Sequence, residues 1–310
     1  MIPMNKVTLF STLIYFTLSL FSFGNAVTLS DAEKKAKLKV QGKIEEKINA
    51  FTSTIDDYVI DFAANNLENL KYLDFDLELR ENYKPTFRIM SVTEIKELDS
   101  GTFFNQTSLN THDEDQTINI GFGMRKLIND NKIILGSNYF YDHQFSENHS
   151  RQGVGAEAIS SVFDIRGNYY DALSGTKETK EGTEQALDGW DTQLDYHLPG
   201  RHDVSLFVNA FKFKSRAEGS SYEEIGNKFG ANATLGHLLI EAGYYDDNQA
   251  TDSYFGSVKY VVQLGEDKQQ NNRGFLEYTD VSEKLYQPVK RENKIRVVKI
   301  TGSGVEAAGF

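Results

Sequence analysis

The 310-residue chain contains no cysteine, one tryptophan and only four prolines. The lack of cysteine excludes a disulfide framework and any thiolate metal site. Hydrophobic residues make up 39% of the chain and charged residues 25%, which excludes a bundle of long transmembrane helices. Basic residues are also in deficit, 33 against 45 acidic ones. The resulting net charge of -12 disfavours a nucleic-acid partner, because no face of the protein would neutralise phosphates.

Aromatic residues and glycine are plentiful instead. The chain has 21 phenylalanines, 16 tyrosines and 24 glycines. Aromatic side chains favour strands, and glycine favours tight turns. The composition therefore favours a strand-rich protein with many turns.

Residues 1–26 have the layout of a secretory signal peptide. Lys6 precedes an apolar run from Val7 to Phe23, and the segment ends in small residues up to Ala26. A transmembrane anchor is the competing interpretation, but the run is shorter than about 18 residues and contains serine and threonine. We expect cleavage after Ala26. Export of a cysteine-free chain fits a Gram-negative bacterium, and the outer membrane is the expected location.

Residues 27–70 form a second segment, in which we predict a periplasmic amphipathic helix from about residue 32 to residue 67. Apolar residues recur at steps of three and four: Ala36, Val40, Ile44, Ile48, Phe51, Ile55, Val59 and Phe62. The polar face mixes acidic and basic residues, whereas a membrane-binding helix has a basic one. We therefore expect this helix to dock on its own domain or to form a homodimer with a second copy.

Residues 71–266 alternate apolar and polar side chains, with the period of a β-strand. The first strand shows the pattern most clearly: Leu73, Phe75, Leu77 and Leu79 alternate with Asp74, Asp76, Glu78 and Arg80. Twelve such segments are centred near residues 76, 91, 107, 122, 138, 156, 168, 194, 209, 232, 242 and 259. This even number predicts an all-β fold, a twelve-stranded antiparallel transmembrane β-barrel. A soluble β-protein would put the apolar row inside, and the alternation alone leaves open which row faces inwards.

The links between these segments fall into two length classes. Short links at residues 129–131, 160–162, 199–202 and 236–237 take turns with longer ones at residues 144–151, 176–188, 215–227 and 246–253. Outer-membrane barrels sort their links in this way, with the short turns in the periplasm. Segments 86–98 and 102–112 alternate poorly, which predicts a β-bulge.

An ordered series of short motifs runs from residue 121 to residue 198. Its defining positions are Gly136, Asn138, Phe140, Tyr141, Asp142, Gly153, Gly155, Glu157, Gly189, Trp190 and Asp191. The series resembles the β-domain of the inverse autotransporters, the intimin and invasin family. Arg291, Asn293 and Ile295 are similar to the R-x-N-x-I region where that family's chain leaves the barrel.

The resemblance implies an outer-membrane barrel whose C-terminal linker, residues 267–310, threads the pore and carries an adhesive passenger to the cell surface. We expect a translocator that exports or anchors its own C-terminal segment, with the adhesin absent from this chain. Residues 304–309, just before the terminal Phe310, are predicted not to form a strand. The alternative is a porin-like or structural barrel that its own linker plugs. Expected partners are outer-membrane lipid, lipopolysaccharide, the barrel-assembly machinery and periplasmic chaperones.

Opposite charges explain how such a linker could stay in the pore. Its basic residues are Lys284, Lys290, Arg291, Lys294, Arg296 and Lys299. The predicted polar wall carries Asp74, Asp76, Glu78, Glu157, Asp191 and Asp195. We expect ion pairs between the two sets, stronger in a confined lumen than at an open surface.

We predict no enzymatic site, no cofactor and no metal ion. The six histidines show no zinc-binding spacing. Asp142 with His143, and His149 with Ser150, are sequence neighbours, but a catalytic triad needs three converging groups. The Gly-x-Gly runs at residues 121 and 153 lie inside strands, so close backbone approach or room for a plug explains them better than phosphate binding.

Overall fold

The computed structural model describes residues 69–301 and 304–308, apart from short gaps at residues 82, 113–114, 180–181, 201–203, 217–219, 250–251 and 264–273. The predicted signal peptide and N-terminal helix lie outside the described residues. Within the described part of the chain, no helix combines the length and the apolar character needed to cross a membrane.

Twelve strands form a closed antiparallel barrel, which confirms the predicted fold class. Their bounds are β1 (Leu70–Arg80), β2 (Thr86–Leu98), β3 (Gly101–His112), β4 (Asp115–Ile128), β5 (Ile133–Gln144), β6 (Ser150–Ser160), β7 (Phe163–Ala172), β10 (Asp188–His197), β11 (Val204–Lys214), β12 (Glu223–Leu235), β13 (Leu238–Asp247) and β14 (Ser253–Gln263). Four shorter strands lie outside the barrel: β8 (Lys177–Thr179), β9 (Gly182–Ala186), β15 (Val297–Thr301) and β16 (Gly304–Ala308). Strand β1 closes the barrel by pairing with β14, from Tyr72 opposite Gln263 to Arg80 opposite Phe255.

In most strands the more polar row faces the lumen and the apolar row faces outwards, whereas β11 turns Phe207, Phe211 and Phe213 inwards. In β1, Asp76 is 6% exposed, whereas its neighbour Leu77 is 44% exposed. Large exposed apolar side chains recur around the outside, among them Phe122, Val154, Ile165, Leu206 and Phe229. A soluble barrel has the opposite arrangement, so the choice that the sequence left open is decided in favour of a membrane barrel.

The links between strands define two rims. The terminal rim carries both ends of the barrel, at Leu70 and Gln263, and short links such as residues 99–100, 161–162 and 236–237. One link at this rim, residues 129–131, has three consecutive residues with positive φ, a conformation that asparagine and aspartate tolerate. The loop rim carries the two longest links, residues 215–222 and 173–187, the second of which contains β8 and β9.

The predicted bulge lies in β2, where the register with β3 shifts between Glu94 and Lys96. Glycines make room inside the barrel for aromatic rings. A Cβ on Gly121 would lie 2.2 Å from the Phe140 ring, and one on Gly123 would lie 2.3 Å from the Phe104 ring. The Gly-x-Gly run of β4 therefore serves close packing.

A separate four-stranded sheet forms at the loop rim, in the order β16-β15-β9-β8. The prediction that residues 304–309 contain no strand is wrong, because Gly304–Ala308 pairs antiparallel with β15. Strand β15 also pairs with β9 of the longest link, from Val297 opposite Ala186 to Ile300 opposite Thr183. Pairing with neighbouring strands forms this sheet, so the local sequence pattern gave no signal for it.

Candidate functional site

Of the predicted linker, residues 274–296 run through the lumen from the terminal rim to the loop rim. The word linker refers to these residues from here on. Near the terminal rim, the Val281 N–H donates to the Asn131 carbonyl at 2.8 Å, and the Thr279 N–H donates to Ser161 Oγ at 2.9 Å. A short 3₁₀ turn at Ser282–Lys284 follows. At the other end the chain continues directly into β15, which pairs with β9.

The linker is anchored at Asp142. The Arg291 guanidinium donates to both carboxylate oxygens of Asp142, at 2.8 and 2.7 Å. Arg151 Nε and Asn119 Nδ2 donate to the same carboxylate at 2.9 and 2.7 Å. The side chains of Arg291 and Asp142 are 1% and 0% exposed, and the Arg291 guanidinium lies 4.2 Å from the centre of the Phe140 ring. Such bidentate, desolvated pairs are the strongest polar contacts in proteins, provided that both partners are present.

The backbone of the linker is held by barrel side chains. Gln106 accepts a hydrogen bond from the Val289 N–H at 2.7 Å and donates one to the Val289 carbonyl at 3.3 Å. Other barrel side chains donate to linker carbonyls: Asn119 to Asn293 at 2.9 Å, Arg151 to Glu292 at 2.7 Å, Asn168 to Lys290 at 3.1 Å, and Arg125 to Leu285 and Gln287 at 2.7 and 2.5 Å. Buried peptide groups need such partners, so these contacts allow an extended chain to lie inside the lumen.

Glu157 and Gly136 support the contact made by Arg125. Glu157 Oε1 accepts from Arg125 Nε at 2.7 Å, which orients the guanidinium towards the linker. A Cβ on Gly136 would lie only 2.6 Å from the same Glu157 oxygen. The glycine therefore leaves space for the carboxylate that positions the arginine.

Two further glycines of the predicted motifs admit polar neighbours. A Cβ on Gly155 would lie 2.7 Å from Asn138 Oδ1, and one on Gly153 would lie 3.3 Å from an Arg291 nitrogen. Gly153 thus borders the anchor itself, whereas Gly155 and Asn138 pack together in the wall.

Asp191 and Gly189 lie on the lumen side of β10. Asp191 accepts hydrogen bonds from Asn168 Nδ2 at 2.9 Å and from the Tyr170 hydroxyl. The Tyr170 hydroxyl in turn accepts from the Glu292 N–H at 2.7 Å, so Asp191 reaches the linker through Tyr170. A Cβ on Gly189 would lie 2.3 Å from the Phe213 ring.

The remaining motif residues lie in two places, on the outside of the barrel and along the linker. Tyr141 and Trp190 are 40% and 41% exposed on the outside of the barrel, away from the linker. Asn293 presents its carbonyl to Asn119, and Ile295 is buried in an apolar cluster that includes Ala172. The structure thus brings Arg291, Asn293 and Ile295 against the lumen wall.

Some of the ion pairs expected between linker and wall are found, but the acidic residue that binds Arg291 is not one of those predicted. Lys290 Nζ lies 2.7 Å from Asp195 Oδ1, as the charge pattern suggested. The strongest pair uses Asp142, a motif residue that was not among the six acidic wall residues. Asp74, Asp76 and Glu157 instead pair with arginines of the barrel wall: Arg88 for both aspartates, and Arg125 for Glu157. Three of the six predicted wall acids therefore pair with arginines of other barrel strands rather than with the linker.

Five barrel residues contact the linker although the sequence pattern gave them no such role: Gln106, Asn119, Arg125, Arg151 and Asn168. Each lies in the inward-facing row of its strand. That row can be read from the alternation, but the depth of each residue in the lumen depends on the stagger of the closed barrel.

The neighbouring pairs considered as catalytic do not converge. Asp142 faces the lumen, and His143 occupies the next position in β5, on the opposite face, where its Nδ1 lies 3.0 Å from Ser150 Oγ. His149 Nδ1 lies 3.0 Å from Ser174 Oγ rather than bonding to Ser150. Among the described residues, no group of three or more histidine or acidic side chains is placed to hold a metal ion.

An apolar outer belt, a largely polar lumen and a segment of the same chain bound along that lumen define a transmembrane β-barrel that holds part of its own chain inside. The sequence model of the family "Inverse autotransporter, beta-domain" matches residues 22–293. The chain belongs to this family.

Individual relatives agree with this assignment. An attaching and effacing protein homolog of Escherichia coli is 34% identical over 99 residues, which is 31% of this chain and 33% of that protein. Intimin of Escherichia coli O157:H7 is 32% identical over 174 residues, 55% of this chain and 14% of intimin. The chain therefore spans a third or less of the length of these two curated relatives.

A solved structure has the same fold. It was reported under "Unveiling the Mechanism Behind the in-meso Crystallization of Membrane Proteins" and superposes with a TM-score of 0.63 at 20% identity. The match covers 76% of this chain and 100% of the other. At this identity the likeness concerns the fold alone.

Proposed function

We propose that the protein is an outer-membrane translocator barrel that exports or anchors its own C-terminal segment at the cell surface. The observation that carries the proposal is the path of the linker. Its backbone enters the lumen at the terminal rim, is held along its length by barrel side chains, and leaves at the loop rim as β15. A chain held in this way has its C-terminal part on the side opposite the barrel termini.

The orientation follows from the links. Outer-membrane barrels have short turns in the periplasm and longer loops outside, so the terminal rim would face the periplasm and the loop rim the cell surface. The apolar belt would then contact outer-membrane lipid and lipopolysaccharide. Strands β15 and β16 would lie outside the cell.

A porin-like or structural barrel plugged by its linker is the second candidate. It is favoured by a cavity of about 960 Å³ beside the linker, which leaves part of the lumen unfilled. In that case the linker would close a pore, and export of the C-terminal segment would have no role.

An epitope tag after Phe310 separates the two. On intact cells we expect an added protease to digest this tag. Two matched controls carry the tag within the barrel: one between Gly236 and His237 at the terminal rim, which should be protected, and one in the link at residues 215–222, which should be digested. Protection of the C-terminal tag while the loop tag is digested would refute the export proposal and favour the plugged pore.

A further inference from the structure

The outward row of β3 explains why this segment of the sequence alternates poorly. Strand β3 pairs with β4 in one continuous register along its whole length, so the bulge of β2 is not the cause. Gln106 faces the lumen and binds the linker, which places its neighbours Asn105 and Thr107 on the outer face. Opposite them on β2 lie Thr93 and Ser91. These four polar side chains, here called the polar patch, form one block on the outside of the barrel.

The polar patch lies within the apolar belt and not at its edge. Towards the loop rim it is followed by Phe87, Ile89 and Leu109, which are 42%, 37% and 40% exposed. Towards the terminal rim, Phe103 continues the outward row of β3 and stacks on the lipid-facing Phe122, with the ring centres 6.2 Å apart. Apolar side chains therefore border the patch on both sides, at the depth of the hydrocarbon region.

The barrel satisfies only part of the hydrogen-bonding capacity of the polar patch. Thr107 Oγ1 donates to Asn105 Oδ1 at 2.9 Å, and Asn105 Nδ2 donates to the Gly121 carbonyl at 2.8 Å. These two bonds fix the orientation of the Asn105 amide. Within the described part of the chain, the hydroxyls of Ser91 and Thr93 have no hydrogen-bond partner. Lipid tails offer them none either, and an unsatisfied polar group in hydrocarbon is unfavourable.

The chemistry of the polar patch fits a second copy of the same barrel. Each of its four side chains is uncharged and has both a donor and an acceptor, so the patch is complementary to itself when a twofold axis relates two copies. Polar side chains of this kind hold neighbouring segments together in membranes. On the opposite side of the barrel, the lipid-facing hydroxyl of Thr192 instead donates to the Arg166 carbonyl of its own barrel at 2.9 Å.

We propose that two copies of the barrel form a dimer in the membrane, with the polar patches of β2 and β3 facing each other. The apolar residues that border the patch would pack around this polar centre. The inference goes beyond the proposed function and does not depend on it, since the dimer would form whether or not the C-terminal segment is exported. It also differs from the dimer expected through the N-terminal helix, because the contact lies on the membrane-spanning face.

Disulfide crosslinking of the full chain in bacterial membranes tests the contact. The chain has no cysteine, so Ser91→Cys and Thr93→Cys each supply a single thiol. Val208→Cys is the matched control, because Val208 is 46% exposed on the outside of β11, across the barrel from β2 and β3. After treatment with a membrane-permeant oxidant, at least one of the two patch variants should migrate as a dimer on a non-reducing gel, and the control should stay monomeric.

Two outcomes of the crosslinking would overturn the proposal. Patch variants that crosslink no more than Val208→Cys would mean that copies meet only by collision or through another part of the chain. A crosslink to a different membrane protein in place of the dimer would assign the polar patch to another partner.

Energy transfer between labelled barrels in lipid vesicles measures the strength of the contact. The labels are attached to Gly175→Cys, an exposed loop-rim position where a Cβ would meet no atom within 4 Å. Asn105→Leu should weaken dimerisation roughly tenfold, because by symmetry the substitution removes a contact of both copies. Thr192→Leu also removes a lipid-facing polar group, but outside the patch, and should leave dimerisation unchanged. An unweakened Asn105→Leu dimer, or an equal loss in Thr192→Leu, would contradict the proposal.

Folding of each variant is checked by the shift between boiled and unboiled samples on a detergent gel. Should Asn105→Leu fail this check, Thr93→Leu is measured in its place, since the Thr93 hydroxyl makes no hydrogen bond within the described barrel that folding could lose. A Thr93→Leu barrel that dimerises as strongly as the wild type would then overturn the proposal.

Discussion

Asp142→Asn should release the linker from the lumen. The substitution keeps the shape of the side chain but removes the charge that two buried guanidiniums, those of Arg291 and Arg151, share. Breaking a buried ion pair from one side costs about 3–5 kcal/mol, because the remaining charge is left unpaired. At about 1.4 kcal/mol for each factor of ten, the population with a displaced linker should rise roughly 100- to 4,000-fold. The lower part of that range is expected, since Arg291 borders the lumen cavity of about 960 Å³ and water there can solvate its guanidinium.

Trypsin cleavage of the detergent-solubilised barrel measures this population. The linker offers cleavage sites at Lys284, Lys290, Arg291, Lys294 and Arg296 that its position in the lumen protects. Cleavage after Lys284 is followed, since every variant below keeps that site. When opening and closing are fast compared with cleavage, the cleavage rate follows the open fraction. The rate constant at low protease concentration should therefore rise by the same factor.

Two comparison variants make the result specific. Arg291→Met should accelerate cleavage less than Asp142→Asn, because Asp142 then keeps Arg151 and Asn119 as partners. Asp246→Asn makes the same charge change at an exposed site and should leave the rate at the wild-type value. The reasoning is refuted if Asp142→Asn is cut no faster than Asp246→Asn, or if Arg291→Met is cut faster than Asp142→Asn.

Two further substitutions test the packing and the terminal rim. Gly123→Ala places a Cβ 2.3 Å from the Phe104 ring and should destabilise the barrel by about 1–3 kcal/mol, lowering the temperature at which the unboiled gel form disappears. Gly167→Ala, whose nearest contact is 4.0 Å, should not. At the terminal rim, partial burial raises the pKa of Asp280, but hydrogen bonds from Ser282 outweigh burial and hold this pKa below its usual range. Its stabilisation is therefore present above the unfolded pKa of about 4 and lost in more acidic solution, so Asp280→Asn should lower the melting temperature at pH 7 and not at about pH 3.

The strands could be predicted because each needs only local information. Asp76 beside Leu77 defines two rows whatever the partner strand is, and the same holds around the barrel. Which row faces inwards could not be predicted, since a membrane barrel and a soluble one alternate alike. The length sorting of the links and the resemblance supplied the missing direction.

The contacts of the linker required information that alternation does not hold. Pairing of Arg291 with Asp142, rather than with Asp191 or Asp195, depends on depth in the lumen, which the stagger of twelve strands determines. Strands β8 and β9 have three and five residues, too short for a readable period, and β9 is paired by a strand more than 100 residues later. Pairing over such distances is visible only in three dimensions.

The way in which the barrel holds its linker has a consequence for how freely the linker can vary. Several barrel side chains donate hydrogen bonds to peptide carbonyls of the linker, among them Gln106, Asn119 and Arg125. Every residue type has such a carbonyl. These contacts depend on the direction and spacing of the linker backbone and do not depend on its side chains. Lys290, Arg291 and Arg296 instead place charged groups against the buried carboxylates of Asp195, Asp142 and Glu224. These three pairs fix the position of the chain along the lumen. A foreign extended segment with basic residues at those three places should be accepted by the same lumen.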